Sequence, residues 1–182
     1  DPTALCAAAA LRTDQLRIGA IHFPLLWNPV LLARSLATLA DLAEGRVVGV
    51  FGVGAKRESH RLGLPEPDGA ERVARLSEML DAVRALLAGK TVTRKGRFTS
   101  LERASITLPS APVPIAVSAA GARALAVVRE HADIWDANVP PLRERLLPLR
   151  ERIGREIPTW CWVFARPGES FAQWKASGEL AR

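Results

Sequence analysis

The sequence predicts an α/β fold built on a mostly parallel sheet. Three observations lead there. Short apolar runs alternate with longer stretches of helical period, in the order α, β, α, β, α, hairpin, β, α, β, α, β, α. The strand stretches are largely apolar rather than alternating, as parallel strands covered on both faces require. Val113 to Asp136 (VPIAVSAAGARALAVVREHADIWD) reads as a complete β-α-β unit, and such crossovers are right-handed. Five parallel strands are expected. On that count alone an open doubly wound sheet fits, because a closed (β/α)8 barrel needs eight strands and usually ~250 residues. A chain of 182 residues makes a single domain over 1–182 the default.

Asp1 to Thr13 (DPTALCAAAALRT) is expected to be helical, with Pro2 in the first turn after an Asp cap. Gln15 to Phe23 (QLRIGAIHF) is a strand and Pro24 to Trp27 a loop. Asn28 caps a second helix with Pro29 at its first position. Leu31, Leu32, Leu36, Leu39 and Leu42 recur there at helical spacing, and Gly45 stops it. Arg46 to Val53 (RVVGVFGV) is the next strand, closed by Gly52, Val53 and Gly54. Ala55 to Gly69, with Pro65 and Pro67, reads as a polar loop. Ala70 to Ala88 is the longest helix, with Val73, Leu76, Leu80, Val83 and Leu87 on one face. Thr91 to Thr99 resembles a small hairpin turning at Lys95-Gly96.

A Pro-rich SITLPSAPVP leads into the β-α-β unit: strand Val113 to Val117, turn Ser118, Ala119, Ala120, Gly121, helix Ala122 to His131, strand Ala132 to Trp135. Nothing in the turn is larger than Ser. The first N–H groups of the helix lack internal partners there, and Arg123 adds a full charge. That chemistry suits a phosphate. The same small residues also simply let a strand pack on its return helix, so the stretch alone leaves both open. A helix over Pro141 to Arg155, a strand over Thr159 to Ala165 and a helix start at Glu169 complete the chain.

A composition of 48% hydrophobic and 24% charged residues is that of a folded soluble protein. The net charge of +6 raises nucleic acid as a partner. The cations are mostly Arg interleaved with acids, as in Arg143-Glu144-Arg145 and Arg150-Glu151-Arg152, so a solvated surface is expected and no nucleic acid. Cys6 and Cys161 lack ligand partners at metal spacing. They are expected to be reduced, buried thiols of a cytoplasmic protein, with no metal. The apolar start ALCAAAAL is too short to span a membrane and follows Asp1 rather than a basic region, so neither membrane contact nor a signal peptide is expected. The start without Met, in what reads as mid-helix, is what a fragment or processed product would show.

Several stretches, in order and spacing, resemble the bacterial luciferase-like family of flavin- and deazaflavin-dependent oxidoreductases. They are DPTALCAAAALRTDQLRIGA, NPVLLARSLATLADLAEGRVVGVFGVGAKRES, ERVARLSEMLDAVRALLAGKTVTRKGRF and PVPIAVSAAGARALAVVREHADIWD. The resemblance implies a (β/α)8 TIM barrel, incomplete in this chain, carrying strands three to seven and a small hairpin insertion. It implies reduced flavin mononucleotide (FMN) or the deazaflavin coenzyme F-420 across the C-terminal ends of the strands, with a slight lean to F-420. It places a third-strand bulge near Ile21 and His22, where a cis peptide commonly backs the ring in the deazaflavin members. The fourth-strand Gly-x-Gly falls on Gly52, Val53 and Gly54. The phosphate turn falls on Ser118, Ala119, Ala120 and Gly121, with Arg123 beside it.

The chain departs from the family in three places. Ala55 stands where a bulky or acidic residue often follows the Gly-x-Gly. The phosphate turn keeps one glycine. The second strand, with its Asp-His-type pair near the ring, is not in this chain.

His22 is the one candidate for a catalytic role, set against a plain hydrogen-bonded histidine at a strand end. Lys56, Arg57, Glu58 and His60 are expected in a solvated loop, and His131, Asp133 and Trp135 in structural roles. Asp136 and Asn138 sit where barrel chemistry occurs. Trp160, Trp162 and Phe164 are expected in the core. No Ser-His-Asp set, metal cluster or paired carboxylate stands at credible spacing. The implied function is monooxygenation or hydride transfer on a small organic substrate. The alternative is a non-catalytic shortened barrel acting as a binding or dimerisation module, since bare sheet edges invite pairing and a homodimer would cover them.

Overall fold

The computed structural model describes residues 1–139 and 143–161. The chain divides into two compact units, Asp1–Ala116 and Val117–Arg182.

In the first unit, helix α1 (Pro2–Ala10) is capped by the Asp1 carboxylate, which accepts from the amides of Thr3 (2.8 Å) and Ala4 (3.1 Å). The expected strand Gln15 to Phe23 pairs at only three positions: Ile18 bridges Val47, and β1 (Ile21–His22) pairs parallel with Val50 and Phe51 of β2 (Gly49–Gly52). The register is the same at all three, so no bulge falls between Ile18 and His22, the stretch in which one was expected near Ile21 and His22. Nor is there a cis peptide among the described residues. The backbones crowd just before this point: a Cβ on Gly19 would lie 2.8 Å from the Val48 carbonyl oxygen.

A 3-10 turn (Pro24–Leu26) leads to α2 (Pro29–Leu42), capped by Asn28 through the Val30 (2.9 Å) and Leu31 (3.3 Å) amides. Its buried stripe runs through Leu32, Leu36, Leu39 and Ala40, while Leu31 and Leu42 are exposed at the stripe's margins. Residues expected in a polar loop after β2 instead form a short helix, α3 (Lys56–Arg61). Nothing between Ala55 and Leu62 breaks a helix, and Pro65 and Pro67 come only afterwards. Helix α4 (Gly69–Leu87), capped by Asp68, buries Leu76, Met79, Leu80, Val83 and Leu86.

The hairpin is β3 (Val92–Lys95) and β4 (Ser100–Ala104), antiparallel. Glu78 of α4 pins its turn: the buried carboxylate accepts from the amides of Arg97 (3.0 Å), Phe98 (3.0 Å) and Thr99 (2.6 Å). Strand β5 (Ile115–Ser118) starts in this unit, and the Gly49 amide donates to the Pro114 carbonyl at 2.9 Å. The strand order here is β1-β2-β5.

The second unit continues from β5 through α5 (Ala122–His131), β6 (Ile134–Asp136), α6 (Arg143–Ile153) and β7 (Thr159–Trp160). The order is β5-β6-β7, with β6 and β7 parallel. Leu125, Val128, Trp135, Leu146 and Ile153 are buried. The Arg155 guanidinium donates to the carbonyls of Arg129 (3.0 Å), Val128 (3.1 Å) and Ala132, closing the C-terminal end of α5. Trp160 is not core as expected: it is 37% exposed, on the last strand of the described order. Trp162, Phe164 and the helix start at Glu169 lie outside the described residues, as does the first part of the helix expected from Pro141.

Candidate cofactor site

In the first unit the strand pleat separates the ends of β1 and β2 into two faces. A Cβ on Gly49 would lie 3.1 Å from the Phe51 ring and 3.2 Å from Leu36, so Gly49 and Phe51 face α2. His22, paired with Phe51, shares that face. It is 3% exposed, edge-on to Trp27 (5.4 Å between centroids) and tilted against Phe51 (5.9 Å). Its Nδ1 lies 3.2 Å from the Val50 carbonyl oxygen, so the proton on that nitrogen is donated to it. Burial lowers the His22 pKa below the ordinary histidine value, and the bond to Val50 opposes the shift.

Ile21, Phe23 and Gly52 lie on the opposite face. A Cβ on Gly52 would come within 3.0 Å of Ile21 Cδ1 and 3.1 Å of the Phe23 ring. Gly54, at φ +76°, lies against the same ring. The room that these glycines leave is therefore filled by the chain's own side chains. What remains is an apolar platform of Ile21 (42% exposed) and Phe23, with Val53 half-buried beside it.

In the second unit, Ser118 ends β5 and is half-buried, Ala119 is buried, and Ala120, Gly121 and Arg123 are exposed. Gly121 is the N-cap of α5 at φ −78° and ψ 145°, and no side chain caps the helix. The space that a Cβ on Gly121 would enter is open for 4 Å around. Arg123 has no ion-pair partner among the described residues. The turn is held from behind: Trp135, fully buried, donates its indole N–H to the Ala119 carbonyl at 2.8 Å, and the Ala119 amide donates to the Asp136 carbonyl at 3.0 Å. Uncapped amides at a sterically open helix start are the elements of a phosphate site, so the residues present fit the phosphate end of a nucleotide-like cofactor.

Lys56, Arg57 and His60 are exposed on α3, and His60 Nδ1 lies 3.1 Å from Glu66. Asp136 is buried, and its carboxylate accepts from the Asn138 amide at 3.2 Å. Cys6 and Cys161 are half-buried rather than buried. Burial pushes both thiols up; at Cys161, Arg150 opposes the shift and Asp136 adds to it. Among the described residues no group of three His, Cys, Asp or Glu could hold a metal, and no helix is long and apolar enough to cross a membrane.

Two residues that matter were not singled out for these roles by sequence. Trp135 had a signal, since a buried indole needs an acceptor and the turn carbonyls are its neighbours in a β-α-β unit. Phe23 had none, because its place over Gly52 and Gly54 is set by tertiary packing.

The chain matches the luciferase-like monooxygenase family over residues 1–153. It belongs to that family. Its fold is part of the family's barrel, which these strands do not close. An F420-dependent glucose-6-phosphate dehydrogenase from Beutenbergia cavernae is 41% identical over 117 residues, 63% of this chain and 35% of the relative. An F420-dependent secondary alcohol dehydrogenase, solved in complex with an F420-acetone adduct, superposes with a TM-score of 0.75 at 25% identity, covering 87% of this chain and 52% of the other. A coenzyme F420 dependent tetrahydromethanopterin reductase from Methanopyrus kandleri shares the fold (TM-score 0.74, 20% identity, 90% of this chain and 54% of the other). The chain spans about a third to a half of the length of the curated relatives it matches.

Proposed function

We propose that the protein containing this chain is an oxidoreductase acting on a small organic substrate through bound coenzyme F-420 or FMN, with F-420 favoured. The observation that carries the reading is the open, uncapped start of α5 at Gly121, braced by Trp135. The lean to F-420 rests on relatives at 32–41% identity being F420-dependent enzymes. In this reading Ser118, Ala119, Ala120, Gly121 and Arg123 hold the phosphate through backbone amides and one cation. Ile21, Gly52, Val53 and Gly54, with Phe23, form the apolar surface for the ring. His22 acts as a positioning residue, fixing the end of β1 through Val50 and packing Trp27 and Phe51. The bound group supplies the redox step, as a hydride carrier if deazaflavin or with oxygen if reduced flavin, and the chain supplies binding and orientation.

Equilibrium titration of the protein containing this chain with F-420 and with FMN tests the proposal. Saturable binding of either supports it, and binding of neither at hundreds of micromolar sinks it.

A second reading, a non-catalytic module that pairs with another chain, is favoured by the exposed leucines of the α1–α2 side, Leu5, Leu31 and Leu42. Light scattering separates the two: a homodimer that binds no cofactor would favour the module.

A further inference from the structure

The first two turns of α4 carry two arginines in different surroundings. Arg75, which also lines the cleft described next, is paired. Its guanidinium pairs with Glu71 (Nη2–Oε1 2.7 Å, Nε–Oε1 2.9 Å) and lies 4.3 Å over the Phe98 ring. Arg72 has no side-chain partner among the described residues, and its Nε–H is shut off from solvent with nothing to accept it. A buried donor without an acceptor is destabilising, and the guanidinium that carries it has no ion-pair partner among the described residues.

Arg72 lines a narrow cleft closed by the 3-10 turn, α3 and the start of α4. The rest of the wall is mostly apolar, with Phe23, Leu26, Leu62 and Pro67. Ser59 turns its hydroxyl to the Ala55 carbonyl at 3.5 Å. Glu58 also lines the cleft, half-buried, and no ion pair joins it to Arg72 among the described residues. Phe23 belongs both to this cleft and to the platform described above, so the two are continuous.

We propose that this cleft is a carboxylate slot: Arg72 takes the anionic end of a short organic acid whose apolar body lies against Phe23 and Leu26. Apolar walls leave the guanidinium field weakly screened, and a carboxylate matches its planar fork. Glu58 selects against a more highly charged phosphate and confines the anion to the Arg72 side. The role of such an acid as substrate rests on the oxidoreductase reading; its binding does not.

The test needs no cofactor. The nitrogen-15-labelled 182-residue chain is titrated with butyrate, butyramide and inorganic phosphate while the arginine Nε–H resonances are followed. The expected result is one resonance, missing in Arg72→Lys, that shifts saturably with millimolar butyrate and not with butyramide. Arg72→Lys keeps the charge without the fork and should weaken butyrate about tenfold. Glu58→Gln removes a like charge and should tighten it about threefold or more. No saturable shift, an equal response to butyramide, phosphate binding at least as tightly as butyrate, or unchanged affinity in Glu58→Gln overturns the proposal. Because F-420 and FMN are titrated separately, a failed cofactor experiment and a failed slot are distinguishable.

Discussion

Replacing Gly121 by Asp should stabilise the fold and weaken cofactor binding at once. Gly121 has the extended backbone of an N-cap, φ −78° and ψ 145°, which Asp adopts without strain, and a Cβ meets nothing within 4 Å. An Asp carboxylate there can accept from the amide of Arg123 or Ala124. It also faces the positive end of the α5 dipole. Asp exceeds Gly as an N-cap by a few tenths of a kcal/mol, and the dipole adds a similar amount, about 0.3–1 kcal/mol in all. The same carboxylate occupies the amides that a phosphate would use and repels its charge. A loss of about 1.4 kcal/mol or more in binding, tenfold in Kd, follows. Urea denaturation reads the first effect, and FMN or F-420 titration the second. A variant that is destabilised, or that binds within about twofold of the parent, would refute the assignment of this turn.

Trp135→Phe removes the indole N–H and strands the buried Ala119 carbonyl, so stability should fall by about 1–3 kcal/mol in urea and cofactor affinity should fall with it. A loss under about 0.5 kcal/mol would mean that the brace is dispensable. Glu78→Gln puts an amide NH2 against backbone donors that now share two carboxylate oxygens. It should cost about 1–3 kcal/mol and speed hydrogen exchange at Arg97, Phe98 and Thr99; unchanged exchange there counts against the pin. His22 has its folded pKa below the ordinary 6.5, so the unfolded chain binds protons first and its contribution to stability is lost as pH falls below about 6.5. His22→Leu should flatten the pH dependence of stability in that window, and an unchanged slope would contradict neutral burial.

Helix positions and the alternation of strands and helices were legible because they depend on local signals: Asp1 and Asn28 as caps, Gly45 as a stop, and leucine periodicity in α2. The turn at Ser118 to Gly121 was legible for the same reason. The pleat at β1 was not. Whether Ile21 or His22 faces the helices depends on register against β2, which no local pattern fixes in an apolar strand. The use of the space beside Gly52 was also hidden, since a glycine can open a strand end to a ligand or to Phe23, and only packing chooses. Helix α3 was missed because a charged stretch without a stripe carries no periodic signal.

The cofactor reading requires a phosphate held at the start of α5. The direct measurement is the affinity of the 182-residue chain for FMN against riboflavin, the same ring without the phosphate. FMN should bind at least about tenfold more tightly, with the difference lost in Gly121→Asp. Equal affinity for the two, in parent and variant alike, would contradict it.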